Sequence, residues 1–210
     1  MKRVETQLLL SDLGSSTTGS PLAGVLKQAA TATRARDFRG AQTVFAGKKA
    51  SALLQIELLQ EIGQSAHTQL DVLRERRAFD EQCKRDPAMA AAAAATQAQS
   101  SKGKAKAVKD ENAAEGGRAP FVRREFPRGM LKLRLSDGRA TVDAYERTRI
   151  TALELGETRA GAKVVLHDAK LVDGALWLDE KSTTVKGHEV EEMEARTACE
   201  FENSLLKRLK

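Results

Sequence analysis

The sequence predicts a mainly β fold, a small five-stranded barrel with short N-terminal helices and a C-terminal helix, on three observations. Between Pro127 and Val190, apolar residues recur at every second position in short runs, the period that turns one face of a strand inward. Glycine turns separate those runs, and two of them are Asp-Gly, the dipeptide suited to a tight hairpin. Upstream, ALLQIELLQEI from Ala52 to Ile62 adds one more segment of strand length and apolar content.

Residues 1–49 read as a helical and irregular extension. VETQLLLSDL at 4–13 has a short helical pattern stopped by Gly14 and the GSSTTGSP that follows. Pro21 to Ala35 predicts a second helix with proline at its start. Arg34, Arg36, Arg39, Lys48 and Lys49 make the approach to the first strand basic. GAQTVFAGKK superficially resembles a phosphate-binding loop, but six residues separate Gly40 from Gly47 and Lys49 occupies the Mg²⁺-binding Ser/Thr position. Nucleotide hydrolysis gains no support there.

Ala52 to Ile62 predicts the first barrel strand, although its spacing also permits a helix. Gln69 to Arg85 is charged and helical in pattern, without a clean apolar face. The alanine run MAAAAAATQAQ and the segment SKGKAKAVKDENAAEGGRAP then predict a disordered excursion over about 87–119, since this composition does not offset its ordering entropy. Lys102, Lys104, Lys106 and Lys109 suit phosphate contact or nuclear import, but the composition favours a solvated linker.

Leu131, Leu133 and Leu135 alternate with Lys132 and Arg134 up to Asp137-Gly138, and a second strand returns from Arg139 to Glu146. Beyond a connection containing Gly156 and Gly161, Lys163 to Val172 predicts a further strand. Asp173-Gly174 turns it into Ala175 to Leu178, which resumes at Thr183 to Val185. From residue 188 onward, Val190, Met193, Ala198, Phe201, Leu205 and Leu209 form a helical stripe. Acids fill its first turns and Lys207, Arg208 and Lys210 its last, as the helix dipole favours. One strand, a hairpin, a connection and a second hairpin are the order of the Greek-key barrel called the OB-fold. The barrel then occupies 50–187 with an insertion at about 66–126, where a hairpin connection takes about 2–5 residues.

Composition narrows the function. No apolar run reaches the ~18–20 residues that span a bilayer, and the short Leu8–Leu10 run predicts no secretion signal. Cys83 and Cys199 are the only cysteines, which excludes a disulfide framework and a cysteine zinc site and suits a reducing compartment. The net charge is +6, with 18 Lys and Arg against 13 Asp and Glu in residues 1–120 and 17 against 16 in 121–210. The basic surplus thus lies outside the barrel's later strands. HEVEE at His188 lacks the second histidine of HExxH, and no GxSxG, dinucleotide turn or metal-spaced cluster occurs, so a non-enzyme without cofactor is expected. OB barrels commonly bind single strands across their second and third strands. Alternation places Lys132, Arg134, Thr141, Asp143 and Tyr145 on that face. With a single aromatic there and 4% aromatics overall, tight autonomous binding is not expected. Trp177 suits either a second platform or packing between barrel and helix.

MLKLRLSDG, AGAKVVL, DGALWLDEKSTTV and KGHEVEEM, with ALLQIELLQEIGQSAHTQLDVLR and more weakly VETQLLLSDL, resemble the N-terminal OB-fold family of RecQ-mediated genome instability protein 1. Its relative is the tudor-domain-containing partner of topoisomerase III. The resemblance implies a non-catalytic nuclear subunit of a RecQ helicase–topoisomerase III complex that binds the topoisomerase, promotes decatenation and dissolves double Holliday junctions. Contact with DNA is then weak or indirect, and the helicase joins directly or through the topoisomerase. By the same resemblance, the insertion reaches the enzyme's strand-passage gate, which makes Leu70, Leu73, Phe79, Lys102, Lys104 and Lys106 its candidate contacts. The alternatives are a single-strand-binding OB module and a tudor-type topoisomerase or RNA adaptor.

Overall fold

A computed structural model describes residues 20–31, 41–46, 50–88 and 123–210. The helical pattern at 4–13 and the greater part of the alanine- and lysine-rich stretch, including Lys102, Lys104 and Lys106, lie outside the described residues. The chain divides into two compact units, one of residues 1–67 with 127–210 and the other of 68–126.

The first unit is built on one eight-stranded sheet. Its strands are β1 (Gln42–Val44), β2 (Ala52–Glu61), β3 (Leu131–Ser136), β4 (Thr141–Glu146), β5 (Lys163–Leu166), β6 (Ala169–Val172), β7 (Ala175–Leu178) and β8 (Thr183–Gly187), in the order β1-β6-β7-β4-β3-β2-β5-β8. Helices α1 (Pro21–Thr31) and α3 (Glu191–Arg208) belong to the same unit, and α2 (Ala66–Arg85) runs into the second.

Five expected strands become eight for a local reason. The run 163–172 breaks at His167–Asp168, where Asp168 takes a positive φ of 50° and its N–H donates to the Phe45 carbonyl of the β1 edge at 2.9 Å. The opposite run breaks at 179–182, closed by Ser182 N–H to Asp179 O at 3.0 Å. One long hairpin is thereby bent into two halves. β7 pairs in parallel with β4 on one flank of the β4-β3-β2 meander, while β5 pairs antiparallel with β2 on the other. The two halves of one hairpin at opposite flanks are what curl the sheet. β1, inside the stretch first compared with a phosphate loop, adds the remaining edge strand by pairing with β6.

The helix-or-strand ambiguity of 52–62 resolves as a strand carrying a bulge. Ile56 lies opposite Leu135 and Leu59 opposite Leu133, with the register shifting between Ile56 and Leu58. An extra residue there moves the inward set from 54 and 56 to 59 and 61, which breaks the two-residue period in sequence. Leu54, Ile56, Leu131, Leu133, Leu135, Leu176 and Leu178 are at most 1% exposed. Each contributes about 1.5–3 kcal/mol by leaving water. The outward face of β2 is covered by α3, whose Phe201 and Leu205 are buried.

The two Asp-Gly turns differ. Asp173 and Gly174 both have positive φ, 49° and 78°, and join Val172 directly to Ala175 as a two-residue turn. At the other, only Gly138 is positive, and Ser136 pairs with Thr141 across a four-residue connection. Asp137 closes that connection with its side chain, Oδ1 accepting from Arg139 and Ala140 N–H at 3.0 and 2.9 Å.

In the second unit, buried Val72, Arg76 and Phe79, spaced i, i+4 and i+7, share one side of α2, and Leu70 is buried towards the other edge. Arg76 sits at a position where an apolar residue is expected. Its Nε donates to Arg124 O at 2.8 Å and its guanidinium lies 4.8 Å from the Phe126 ring centroid. Gln69 is likewise fully buried. Two polar residues at core positions are why the sequence shows no clean apolar face.

Candidate functional site

Two features of the first unit combine geometry with chemistry. One is the stem at which the chain leaves β2 and re-enters β3. By alternation after the bulge, β2 ends with an acid, Glu61, on its inward face, and Glu61 is 0% exposed. Its Oε1 accepts from Gly63 N–H at 2.6 Å and Met130 N–H at 2.8 Å, and its Oε2 accepts from Gly129 N–H at 2.7 Å. One carboxylate thus holds backbone from both sides of the stem. A Cβ on Gly63 would lie 3.0 Å from Met130 N, and one on Gly129 3.0 Å from Glu61 Oε1. Glycine is what lets the two backbones approach.

Two further contacts brace the stem. Glu146, at the end of β4, accepts from Arg128 Nη2 at 2.6 Å, from Ile150 N–H at 2.6 Å and from Leu131 N–H at 3.2 Å. From α3, Arg208 donates Nη1 to Glu61 O at 2.7 Å and Nη2 to Gln64 O at 2.9 Å. The C-terminal helix therefore clamps the exit of β2. These bonds are charge-assisted, the stronger class.

The other feature is the outer face of the meander. Lys132 of β3 pairs across with Tyr145 of β4, Tyr145 with Trp177 of β7, Trp177 with Lys170 of β6 and Lys170 with Thr43 of β1. The register sets these side chains in one row, and Lys132, Tyr145, Trp177 and Lys170 are all partly exposed. The Tyr145 and Trp177 ring centroids are 5.4 Å apart at an interplanar angle of 33°. Lys132 Nζ stands 5.5 Å from the Tyr145 centroid and 2.7 Å from Asp143 Oδ2. The hydrogen bond to the Asp143 carboxylate raises the Lys132 pKa; burial opposes this, and Tyr145 adds to the rise. Lys170 Nζ donates to Thr43 Oγ1. Arg134 reaches Glu200 of α3 at 3.7 Å, so it braces the helix rather than joining the row.

Of the residues singled out from sequence, Lys132 and Tyr145 come together and Arg134 stands apart from them. Trp177 neighbours Tyr145 in the same row, with its ring half-buried. Leu70 and Phe79 are buried and Leu73 is half-buried. Glu61, Glu146, Arg208 and Lys170 escaped the sequence reading. Glu61 left a signal, an acid in phase with the inward leucines of a strand and followed by glycine. Lys170 left none, because nothing local reveals which strands become neighbours.

Among the described residues no group of His, Cys, Asp and Glu is placed to hold a metal, and no helix is long and apolar enough to cross a membrane. Compared with known families, the chain matches the model described as RMI1, N-terminal OB-fold domain, over residues 26–201. No curated protein matches it.

Proposed function

The chain belongs to the RMI1 N-terminal OB-fold domain family, and from that premise we propose that it is a non-catalytic subunit of a nuclear RecQ helicase–topoisomerase III complex. In this reading the barrel binds topoisomerase III, and the segment between β2 and β3 promotes decatenation and the dissolution of double Holliday junctions in recombination. The helicase joins directly or through the topoisomerase, and DNA is contacted weakly or indirectly.

The observation that carries the reading is the stem. A long segment leaves and re-enters the barrel at neighbouring backbone positions held by one buried carboxylate, Glu61, across Gly63, Gly129 and Met130. A segment tethered at a fixed point acts at high effective concentration on whatever the barrel binds. It biases a gate that opens and closes if it binds one of the two states better. Neither step requires a catalytic group on this chain.

The test is deletion of residues 89–119 from the full chain, which leaves α2 and the Arg76–Arg124 contact in place. Calorimetric titration against topoisomerase III is expected to show unchanged affinity, while decatenation by the complex falls. Unchanged decatenation removes the segment from the mechanism, and absence of binding by the intact chain removes the scaffold role altogether.

A further inference from the structure

We propose that the free edge of β8, with the cleft beside it, takes an extended basic peptide of a partner protein as an added strand. The binding uses residues outside the stem and is measured without topoisomerase, so it stands or falls separately from the proposed function.

β8 ends the sheet order and pairs with β5 on one side, with no strand beyond it among the described residues. Antiparallel pairing turns alternate backbone groups towards β5 and the others away. Among the described residues, no turn or loop backbone hydrogen bond reaches Thr184, Val185 or Lys186. The outward groups are therefore open to another strand. At about 3.3 Å per residue β8 presents about 17 Å of edge, and it is five residues long where β1, at the other end of the sheet, has three. His188, at a positive φ of 68°, ends the edge. A cleft of about 680 Å³ lies between β8 and the 151–159 connection, with Val185 and Ala162 in its wall. Glu154, Glu157 and Glu189 also line it, and Arg159, the one permanent cation of that lining, already meets Glu189 at 3.8 Å and Glu194 at 3.2 Å. The surplus of carboxylate sets the sign of the occupant. Main-chain hydrogen bonds to β8 hold an extended chain, and its alternate side chains enter the cleft. Lysine or arginine there meets the carboxylates. A second copy of this chain would instead bring a second set of the same carboxylates to the edge, which like-charge repulsion disfavours.

The probe is a short labelled peptide of alternating lysine and valine, titrated into the full chain and followed by anisotropy. Binding is expected to slow hydrogen exchange of backbone amides in β8 and to leave those of β1 unchanged. Only one alternate set of the peptide's amides faces β8. N-methylation of that set, the lysines or the valines, is expected to abolish binding, and N-methylation of the other set to leave it. Glu154→Gln with Glu189→Gln changes two exposed side chains and is expected to weaken binding about 2- to 30-fold, an effect that shrinks as salt rises. The analogue with glutamate in place of lysine is expected not to bind. No binding of the lysine peptide, or binding without protection of β8, overturns the proposal. Equal binding of the two N-methylated forms, or of the glutamate analogue, overturns it too. Protection of β8 that rises with protein concentration in the absence of peptide overturns it in favour of self-association.

Discussion

Glu61 shows how one side chain fixes a junction. A buried carboxylate needs hydrogen-bond donors, and here three backbone N–H groups from two separate segments are among those it has. The dependence is mutual, because without the carboxylate those three donors lose the group that holds the two segments together. Glu61→Ala is therefore expected to destabilise the first unit by about 3 kcal/mol or more, read from the shift of its urea midpoint. Glu61→Gln keeps one acceptor oxygen and turns an N–H₂ towards a donor, so it costs less than alanine and more than nothing. If alanine moved the midpoint no more than a surface substitution, within about 0.5 kcal/mol, the clasp would have no structural weight. Lys163 is the complementary case, a fully buried lysine whose Nζ donates to Gly161 O at 2.8 Å and Gln55 Oε1 at 3.2 Å. Its residue type alone predicts exposure, and its hydrogen bonds account for tolerance of the burial.

At the scale of elements, helix α1 has an N-terminal turn capped by a residue far away in sequence. Asp137 Oδ2 accepts from Ser20 Oγ and from Leu22 N–H at 2.9 Å, while Oδ1 closes the β3–β4 connection. The docked helix buries Leu22 and Val25. Burial alone would raise the Asp137 pKa, but hydrogen bonds from Ser20, Leu22, Ala140 and Arg139 together outweigh it and hold the carboxyl below its ordinary 3.8. A carboxyl with a lowered folded-state value contributes its full stability above the ordinary value, and loses it as pH falls towards the folded one. The Leu22 and Ala140 amide resonances are thus expected to titrate together in acid with a midpoint below 3.8, and to stop titrating in Asp137→Asn. A midpoint above 3.8 would contradict the capping role. Helix α3 is joined to the sheet in the same side-chain manner, through Arg208 at its C-terminal end and Thr197 Oγ1 donating to Glu57 O at 2.9 Å. The Glu57 carbonyl it uses lies at the β2 bulge, where the register shifts.

For the molecule as a whole, the division into two units carries its own expectation. Glu61 and Leu131 are cross-strand partners, so the two sides of the stem run close together and a short connection can join them in place of the second unit. Replacing residues 68–126 by a short Gly/Ser turn is expected to leave a cooperatively folding first unit with its sheet intact, seen as a retained far-ultraviolet β spectrum and a single thermal transition. Loss of cooperativity would mean that the second unit is required for the first to fold. The strands were legible in the chain because period-two alternation at Leu131–Leu133–Leu135 and Ala175–Leu178 is a local property, as are the glycine-bearing turns and the charge gradient of α3. Where a second interaction overrode the local pattern, the sequence misled: the bulge in β2 blurred its period, the break at Asp168 split one strand into two, and Arg76 and Gln69 hid the packed side of α2. By itself, then, the sequence determined the strands from Leu131 onward with their inward faces, the C-terminal helix and the family of this fold, since each rests on residues within a few positions of one another. The meeting of Glu61 with Gly129, of Asp137 with Leu22 and of Tyr145 with Trp177 and Lys170 was decided only by tertiary structure, because strand order and hairpin bending depend on which surfaces pack best across the whole chain.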